Sequence, residues 1–132
     1  MILIADDSPD DYTLLEFSLR EAGFDGELVW VMDGEAAIEA LGGGSLQGSR
    51  LPNLVILDHY LPFKNSLEIL ASLPPRDDPA EYPIVVLSSH VSGDDRENLV
   101  SAGVRSVFEK PADLEGFGEL GRALLALLEP EA

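Results

Sequence analysis

Four short apolar runs in the sequence end in residues of the kinds that bind metals and phosphoryl groups. These residues are Asp6, Asp7, Asp58, Ser88 and Lys110. Three carboxylates held close together repel one another, so one must take up a proton unless a cation lies between them. Mg²⁺ suits such a site because it needs few carboxylates and keeps positions for water or a phosphoryl oxygen. The set therefore indicates magnesium-dependent phosphoryl chemistry.

That chemistry assigns a use to each residue type. A phosphoryl group in transfer spreads its charge over three oxygens, so catalysis consists of positioning and neutralisation. Mg²⁺ can hold one oxygen, the Lys110 ammonium a second and the Ser88 hydroxyl a third. A central carboxylate can itself be the nucleophile and become an acyl phosphate. Lys110 is one of only two lysines, and it directly precedes Pro111, where a cis peptide bond is a candidate.

A common scaffold must bring these residues together. Short apolar runs alternate with segments of helical periodicity, which is typical of a parallel α/β sheet. In such a sheet, ligands bind beyond the carboxyl ends of the strands. The alternation predicts strands at residues 2–5, 28–32, 53–57, 84–87 and 105–108. It predicts helices at residues 9–22, 34–41, 66–72, 94–102 and 114–128.

Local signals support the helix boundaries. Ser8 is a candidate N-cap, Pro9 fits the first helical position, and Asp11 favours the helix dipole, while Gly23 ends the first helix. The glycine-rich segment 42–49 lacks the spacing of a phosphate-binding loop and is interpreted as a surface loop.

Composition limits the class of protein. The chain has 132 residues, enough for one domain, proposed to span residues 1–132. It carries 8 basic and 25 acidic residues, a net charge of −17, which disfavours nucleic acid and anionic membranes as partners. There is no cysteine, and no apolar run approaches the length of a membrane span or a signal peptide. We expect a cytoplasmic protein.

Four motifs stand at the ends of the predicted strands: Asp6-Asp7, Asp58 followed by Pro62, Ser88, and Lys110-Pro111. In combination they resemble the receiver domains of bacterial two-component response regulators, over essentially the whole chain. The resemblance implies a flavodoxin-like fold: five parallel strands in the order 2-1-3-4-5, with five helices on both faces.

The resemblance also implies a function. Asp58 would accept a phosphoryl group from a sensor histidine kinase in a Mg²⁺-dependent reaction. Asp7, Asp58 and the backbone carbonyl of Tyr60 would bind Mg²⁺ directly, with Asp6 acting mostly through water. Ser88 would hydrogen-bond the phosphoryl group, and Lys110 would pair with it. The chain would be a signalling module and not an enzyme, acting on a downstream protein by conformational change or phosphorelay.

A narrower likeness is to the small regulators that accompany phytochrome-type kinases. It lies in the turn at residues 8–11, the long loop before the third strand and the Ser88-Ser89 pair. In the family, the side chains two positions after the phosphoacceptor and two after the hydroxyl residue border the path of attacking water. Here these are Tyr60 and His90.

The sequence departs from the family pattern at two positions. The family's switch aromatic, three residues before the lysine, is replaced by Val107, and Phe108 is expected on the other face of the strand. Ser66 stands where the family tends to have glycine.

His59 and His90 are interpreted as surface or partner contacts, since two imidazoles do not make a metal site. Trp30 is interpreted as a packing residue.

Two other functions are open from the residues alone. An aspartyl phosphatase of haloacid-dehalogenase type also uses Asp, Mg²⁺, Ser/Thr and Lys, but requires an acid two residues after its nucleophile, where this chain has Tyr60. A pseudo-receiver that binds partners without phosphorylation is the other, and the complete set of site residues disfavours it.

The last helix carries more apolar surface than one sheet covers. Phe117, Leu120, Leu124 and Leu127 form a stripe at helical spacing that is expected to face the sheet. Residues 123–128 are nevertheless apolar at six consecutive positions. This pattern predicts a homodimer through the last helix, with a frayed terminus as the alternative.

Overall fold

Strands and helices alternate along the chain in the computed structural model, which describes residues 1–42, 52–62, 64–73, 82–90 and 92–128. Within these ranges the strands are β1 (Ile2–Ala5), β2 (Leu28–Val31), β3 (Leu54–Asp58), β4 (Ile84–Ser88) and β5 (Ser106–Glu109). The helices are α1 (Pro9–Glu21), α2 (Gly34–Gly42), α3 (Ser66–Ser72), α4 (Gly93–Ser101) and α5 (Leu114–Ala126). All ten predicted elements are confirmed, with ends shifted by two residues at most. Residues 43–49 of the glycine-rich segment lie outside the described residues.

The sheet is parallel throughout, in the order β2-β1-β3-β4-β5. This confirms the fold and strand order that the family resemblance implies. The three inner strands, β1, β3 and β4, are buried at every position, which explains their runs of consecutive apolar residues. Strand β3 extends to Asp58, one residue further than predicted, because Asp58 still pairs with Leu87 of β4.

Alternate residues of the strands feed two cores on opposite faces of the sheet. Leu3 belongs to the core beneath α2, α3 and α4, and Ile4 belongs to the core beneath α1 and α5. Val107 packs against the first core and Phe108 against the second. The expectation that Phe108 faces away from Val107 is thus confirmed. Of these two residues, the one on the same side of the sheet as α4 is the valine and not the aromatic residue.

Helix α1 begins and ends where its local signals predict. The Ser8 side chain accepts a hydrogen bond from the Asp11 backbone N–H at 3.2 Å, and Pro9 occupies the first helical position. Gly23 follows the helix with a φ of 112°, a conformation that favours glycine. The Lys110–Pro111 bond is trans, as is every peptide bond among the described residues, so the cis bond considered from the sequence is absent there.

Helix α5 lies against α1 at very close range. A Cβ added to Gly121 would lie 2.6 Å from the backbone oxygen of Ser18, so only glycine allows this approach. Three members of the predicted stripe, Phe117, Leu120 and Leu124, are buried against the sheet as expected.

The apolar residues that follow are partly used within the chain. Leu125, Leu127 and Leu128 are half-buried and pack against the second core. Much of the apolar excess that predicts a homodimer therefore has an intramolecular role, and the dimer stays a prediction. None of the described helices has both the length and the apolar character needed to cross a membrane.

Candidate functional site

Three carboxylates converge at the carboxyl edge of the sheet. Asp6 and Asp7 follow β1, Asp58 ends β3, and these strands are neighbours with Ala5 paired to Leu57. One carboxylate oxygen from each aspartate lies within 4.8 Å of the others. Asp6 and Asp58 are buried, whereas Asp7 is exposed. The arrangement fits a divalent cation that binds carboxylates on its buried side and water on its open side.

Lys110 places its ammonium group beside this cluster. The Lys110 Nζ lies 2.8 Å from Asp11 Oδ2, 3.1 Å from Asp6 Oδ2 and 3.1 Å from Asp58 Oδ2. The Lys110 backbone N–H donates to the Ser88 carbonyl at 2.8 Å, which fixes the end of β5 beside β4. Burial lowers the pKa of Lys110, but the Asp11 hydrogen bond and the charges of Asp58 and Asp6 outweigh it. The net effect raises that pKa, so the ammonium stays charged.

The ionisation of Asp6 is affected by its burial, by a backbone hydrogen bond and by neighbouring charges. Burial raises the pKa of the Asp6 carboxyl above its ordinary value, against the lowering effects of the Ser8 N–H, 2.9 Å from Oδ1, and of Lys110. The Asp58 charge raises the pKa further. A bound cation would relieve both the burial penalty and this repulsion, which is a second sign that the cluster fits a metal.

Trp30 contributes to the site in a way that the sequence does not reveal. Its indole Nε1–H donates to the Asp6 carbonyl at 2.8 Å, and its ring stacks on Tyr12 with centroids 4.5 Å apart. The residue does pack, as predicted, and it also fixes the backbone of the first acidic residue from the neighbouring strand β2.

The remaining predicted site residues surround Asp58. The Asp58 Oδ1 accepts a hydrogen bond from the Tyr60 backbone N–H at 3.2 Å, while the Tyr60 side chain is 58% exposed. Ser88 is fully buried, and its hydroxyl donates to the His90 carbonyl at 2.9 Å and accepts from the His90 N–H at 3.2 Å. The hydroxyl is therefore engaged by its own loop. His90 is exposed, as predicted.

The prediction that His59 lies at the surface is wrong. Only 2% of His59 is exposed, and its Nδ1 lies 2.5 Å from the hydroxyl of buried Ser66. Its Nε2 lies 3.5 Å from Asp95 Oδ2 on α4. The His59 backbone also bonds to Leu87 and Ser66. A buried imidazole requires polar partners, and the serine that replaces the family's glycine supplies one.

Asp11 is the site residue that sequence reasoning missed. The sequence assigns it only to the helix dipole, yet it is the closest partner of the Lys110 ammonium. The signal was present in the topology, since the first turn of α1 follows β1 and must lie at the same edge as the other strand ends.

Comparisons with known proteins agree with this geometry. A family model described as "Response regulator receiver domain" matches residues 2–119. The chain belongs to this family, which is one of signalling domains and not of catalytic enzymes.

Three relatives illustrate the breadth of the family. The chain is 31% identical to the "Probable methanogenesis regulatory protein FilR2" of Methanothrix harundinacea, over 87% of this chain and 74% of that protein. It is 36% identical to "Response regulator Rcp1" of Synechocystis, over 72% of this chain. The match spans 65% of Rcp1 and 49% of the transcriptional regulatory protein PrrA of Mycobacterium tuberculosis.

Solved structures of relatives share the fold. The Mn²⁺-bound form of Rcp1 superposes with a TM-score of 0.81 at 30% identity, covering 99% of this chain and 96% of that one. The phosphorylated cyanobacterial phytochrome response regulator RcpA superposes with a TM-score of 0.79 at 29% identity, covering 92% and 88%. Relatives of this chain thus bind a divalent metal and carry a phosphoryl group.

Proposed function

We propose that residues 1–132 act as a single receiver domain that accepts a phosphoryl group on Asp58 from a sensor histidine kinase. The observation that carries the proposal is the surroundings of the Asp58 carboxylate. One of its oxygens lies 3.1 Å from the Lys110 ammonium, and the carboxylates of Asp6 and Asp7 lie within reach of a shared cation. An Asp with a cation and an ammonium beside it is poised to attack phosphorus.

The residues divide the work of the transfer. A carboxylate oxygen of Asp58 forms a bond to phosphorus while the P–N bond to the donor histidine breaks, and the released imidazole takes a proton from solvent. Asp7, Asp58 and the Tyr60 carbonyl are the proposed direct ligands of Mg²⁺, with Asp6 acting mostly through water, and Mg²⁺ would neutralise phosphoryl charge when bound. Lys110 neutralises a further phosphoryl oxygen from the opposite side.

Ser88 requires a change before it takes part. Its hydroxyl bonds to both backbone groups of His90, and a rotation about one side-chain torsion must release it toward the phosphoryl group. That rotation withdraws support from the loop between β4 and α4. Phosphorylation is thereby transmitted to the α4 side of the molecule, and this occurs with Val107 where the family usually has an aromatic residue.

The relatives suggest the class of partner. Rcp1 and RcpA are described as a response regulator and a phytochrome response regulator, which supports a phytochrome-type kinase as the donor. The downstream partner is proposed to be another protein, reached by conformational change or phosphorelay in the cytoplasm. The homodimer through α5 is kept as a further proposal.

The test is intact-mass measurement after incubation with Mg²⁺ and acetyl phosphate, whose P–O bond breaks to release acetate. We expect one added phosphoryl group, absent in Asp58→Asn and absent after chelation of Mg²⁺. Full labelling of Asp58→Asn would refute the assignment. Continuous hydrolysis of p-nitrophenyl phosphate would instead support the haloacid-dehalogenase alternative, since a receiver domain does not turn over phosphomonoesters.

A further inference from the structure

The ammonium of Lys110 has a full set of partners. Its Nζ lies 2.8 to 3.1 Å from three carboxylate oxygens, those of Asp6, Asp11 and Asp58, which matches the number of N–H donors that an ammonium carries. Two of these partners, Asp6 and Asp58, also belong to the group that converges on the candidate metal position, whereas Asp11 does not. Asp11 is the shortest of the three contacts.

We propose that Asp11 is a positioning residue that holds the Lys110 ammonium in place for phosphoryl transfer. The inference rests on the proposed function. When a cation binds, Asp6 and Asp58 direct charge toward it, and when Asp58 is phosphorylated, one of its oxygens is bonded to phosphorus in the acyl phosphate. Asp11 is the partner that keeps its full charge for Lys110 through both steps.

The placement of Asp11 suits this role. It lies in the first turn of α1, and its backbone N–H is tied to the Ser8 hydroxyl at 3.2 Å. Helix α1 in turn lies against α5 with the backbone of Ser18 close to Gly121. The Asp11 carboxylate is therefore anchored to a rigid element, while Lys110 reaches it from the end of β5 on a flexible four-carbon side chain.

Loss of the Asp11–Lys110 contact should slow phosphoryl transfer to Asp58. A long lysine side chain has many rotamers, and a charge-assisted hydrogen bond to a fixed carboxylate selects the one that faces the reacting phosphorus. Asp11→Asn keeps the size of the side chain, and it keeps the backbone N–H that donates to the N-cap residue Ser8. It removes the negative charge that holds the Lys110 ammonium. We expect phosphorylation to slow by about tenfold.

The experiment measures the rate of Asp58 phosphorylation by acetyl phosphate at saturating Mg²⁺ in four variants and the wild type. Asp10→Asn is the matched control, because Asp10 is the exposed neighbour in the same helical turn and carries the same charge. Lys110→Ala and the double variant Asp11→Asn/Lys110→Ala complete a cycle. We expect Asp11→Asn to slow phosphorylation about tenfold when it is made in the wild type. Made in the Lys110→Ala variant, the same substitution should slow phosphorylation by less than twofold, because the effect of Asp11 acts through Lys110.

A second readout separates positioning from general electrostatics. Trp30 is the only tryptophan and donates to the Asp6 carbonyl, so we expect its fluorescence to change when Mg²⁺ binds. We expect Asp11→Asn and Asp10→Asn to change the Mg²⁺ dissociation constant equally. A rate unaffected by Asp11→Asn, a rate that rises, or an equal loss in the Lys110→Ala background would overturn the inference. A wild type that is not labelled on Asp58 would refute the proposed function itself.

Discussion

The two carboxylate oxygens of Asp58 are contacted by different hydrogen-bond donors. Lys110 contacts Oδ2, and the Tyr60 backbone N–H contacts Oδ1 at 3.2 Å. The carboxylate is thereby oriented without being covered by Tyr60, because the Tyr60 side chain is mostly exposed, with its ring centroid 4.5 Å from that of His59. If Asp58 is the phosphoacceptor, as proposed, the side chains at this open edge should determine how easily water reaches the phosphorylated residue.

We expect those side chains to determine the lifetime of the phosphoryl group on Asp58. In the family, positions equivalent to Tyr60 and His90 border the path of attacking water, and both residues here are large. We expect Tyr60→Asn and His90→Ala to lose the phosphoryl group about tenfold faster than the wild type. The measurement is the decay of phosphorylated protein after removal of the donor.

A control and a contrary outcome accompany that measurement. Phe17→Ala removes an exposed aromatic ring on α1 and should leave the decay unchanged. Slower decay in His90→Ala would contradict shielding, because it would identify the imidazole as a general base for water.

At the scale of secondary-structure elements, the residues of the site are held by contacts between neighbouring helices and strands. Gly121 lets α5 approach the backbone of Ser18 on α1, the helix whose first turn carries Asp11. On the other face, His59 joins β3 to Ser66 at the start of α3 and to Asp95 on α4. The residue after Asp58, the proposed phosphoacceptor, is thus connected to two helices of the surface that we propose to change on phosphorylation.

Two glycines of α5 test the importance of the helix contact, because the same substitution should have opposite effects. Gly121→Ala places a methyl group 2.6 Å from the Ser18 oxygen and should destabilise the protein by about 1–3 kcal/mol. Gly118→Ala meets only the flexible end of Arg122 at 3.7 Å and should stabilise it by up to about 1 kcal/mol, because alanine favours helix. Denaturant unfolding measures both. Equal effects of the two substitutions would show that the close approach of α1 and α5 is not rigid.

The sequence predicts the elements well because their signals are local. The Ser8 cap, Pro9 and Gly23 lie within a few residues of the helix ends that they define, and the buried strands are apolar along their whole length. The strand order and the roles of the site residues come from family resemblance, which covers the whole motif set. The residue types and local patterns by themselves predict that the strand-end residues share an edge and suit magnesium-dependent phosphoryl chemistry, but they do not assign the phosphoacceptor.

The features that the sequence does not predict depend on pairs distant along the chain. Asp11 meets Lys110 across 99 residues, and the Trp30 indole reaches back 24 residues to Asp6. His59 is buried because Ser66 and Asp95 provide its polar partners, and neither partner is evident from the residues beside His59. Such contacts depend on how helices settle on the sheet, which periodicity does not determine.

The whole molecule carries a net charge of −17, and part of it is concentrated at one edge of the sheet. Self-repulsion of this kind destabilises the compact state, because unfolding lets the charges separate. A cation bound by the proposed ligands Asp6, Asp7 and Asp58 would relieve the repulsion among these carboxylates, and it would bind only the folded chain, in which they lie together. The stability of the entire domain should therefore depend on the metal.

We expect Mg²⁺ to raise the melting temperature beyond what ionic strength alone achieves. At a concentration one hundred times its dissociation constant, a ligand specific to the folded state adds about 2.7 kcal/mol, or roughly 10 °C for a domain of this size. Thermal melts in MgCl₂ are compared with melts in NaCl of equal ionic strength, which screens all charges without occupying the site. The shift should shrink in Asp58→Asn, which loses a proposed ligand, and persist in Asp25→Asn, which loses the same charge from an exposed loop before β2. An identical Mg²⁺ shift in Asp58→Asn and the wild type would place the stabilising ion elsewhere on the acidic surface.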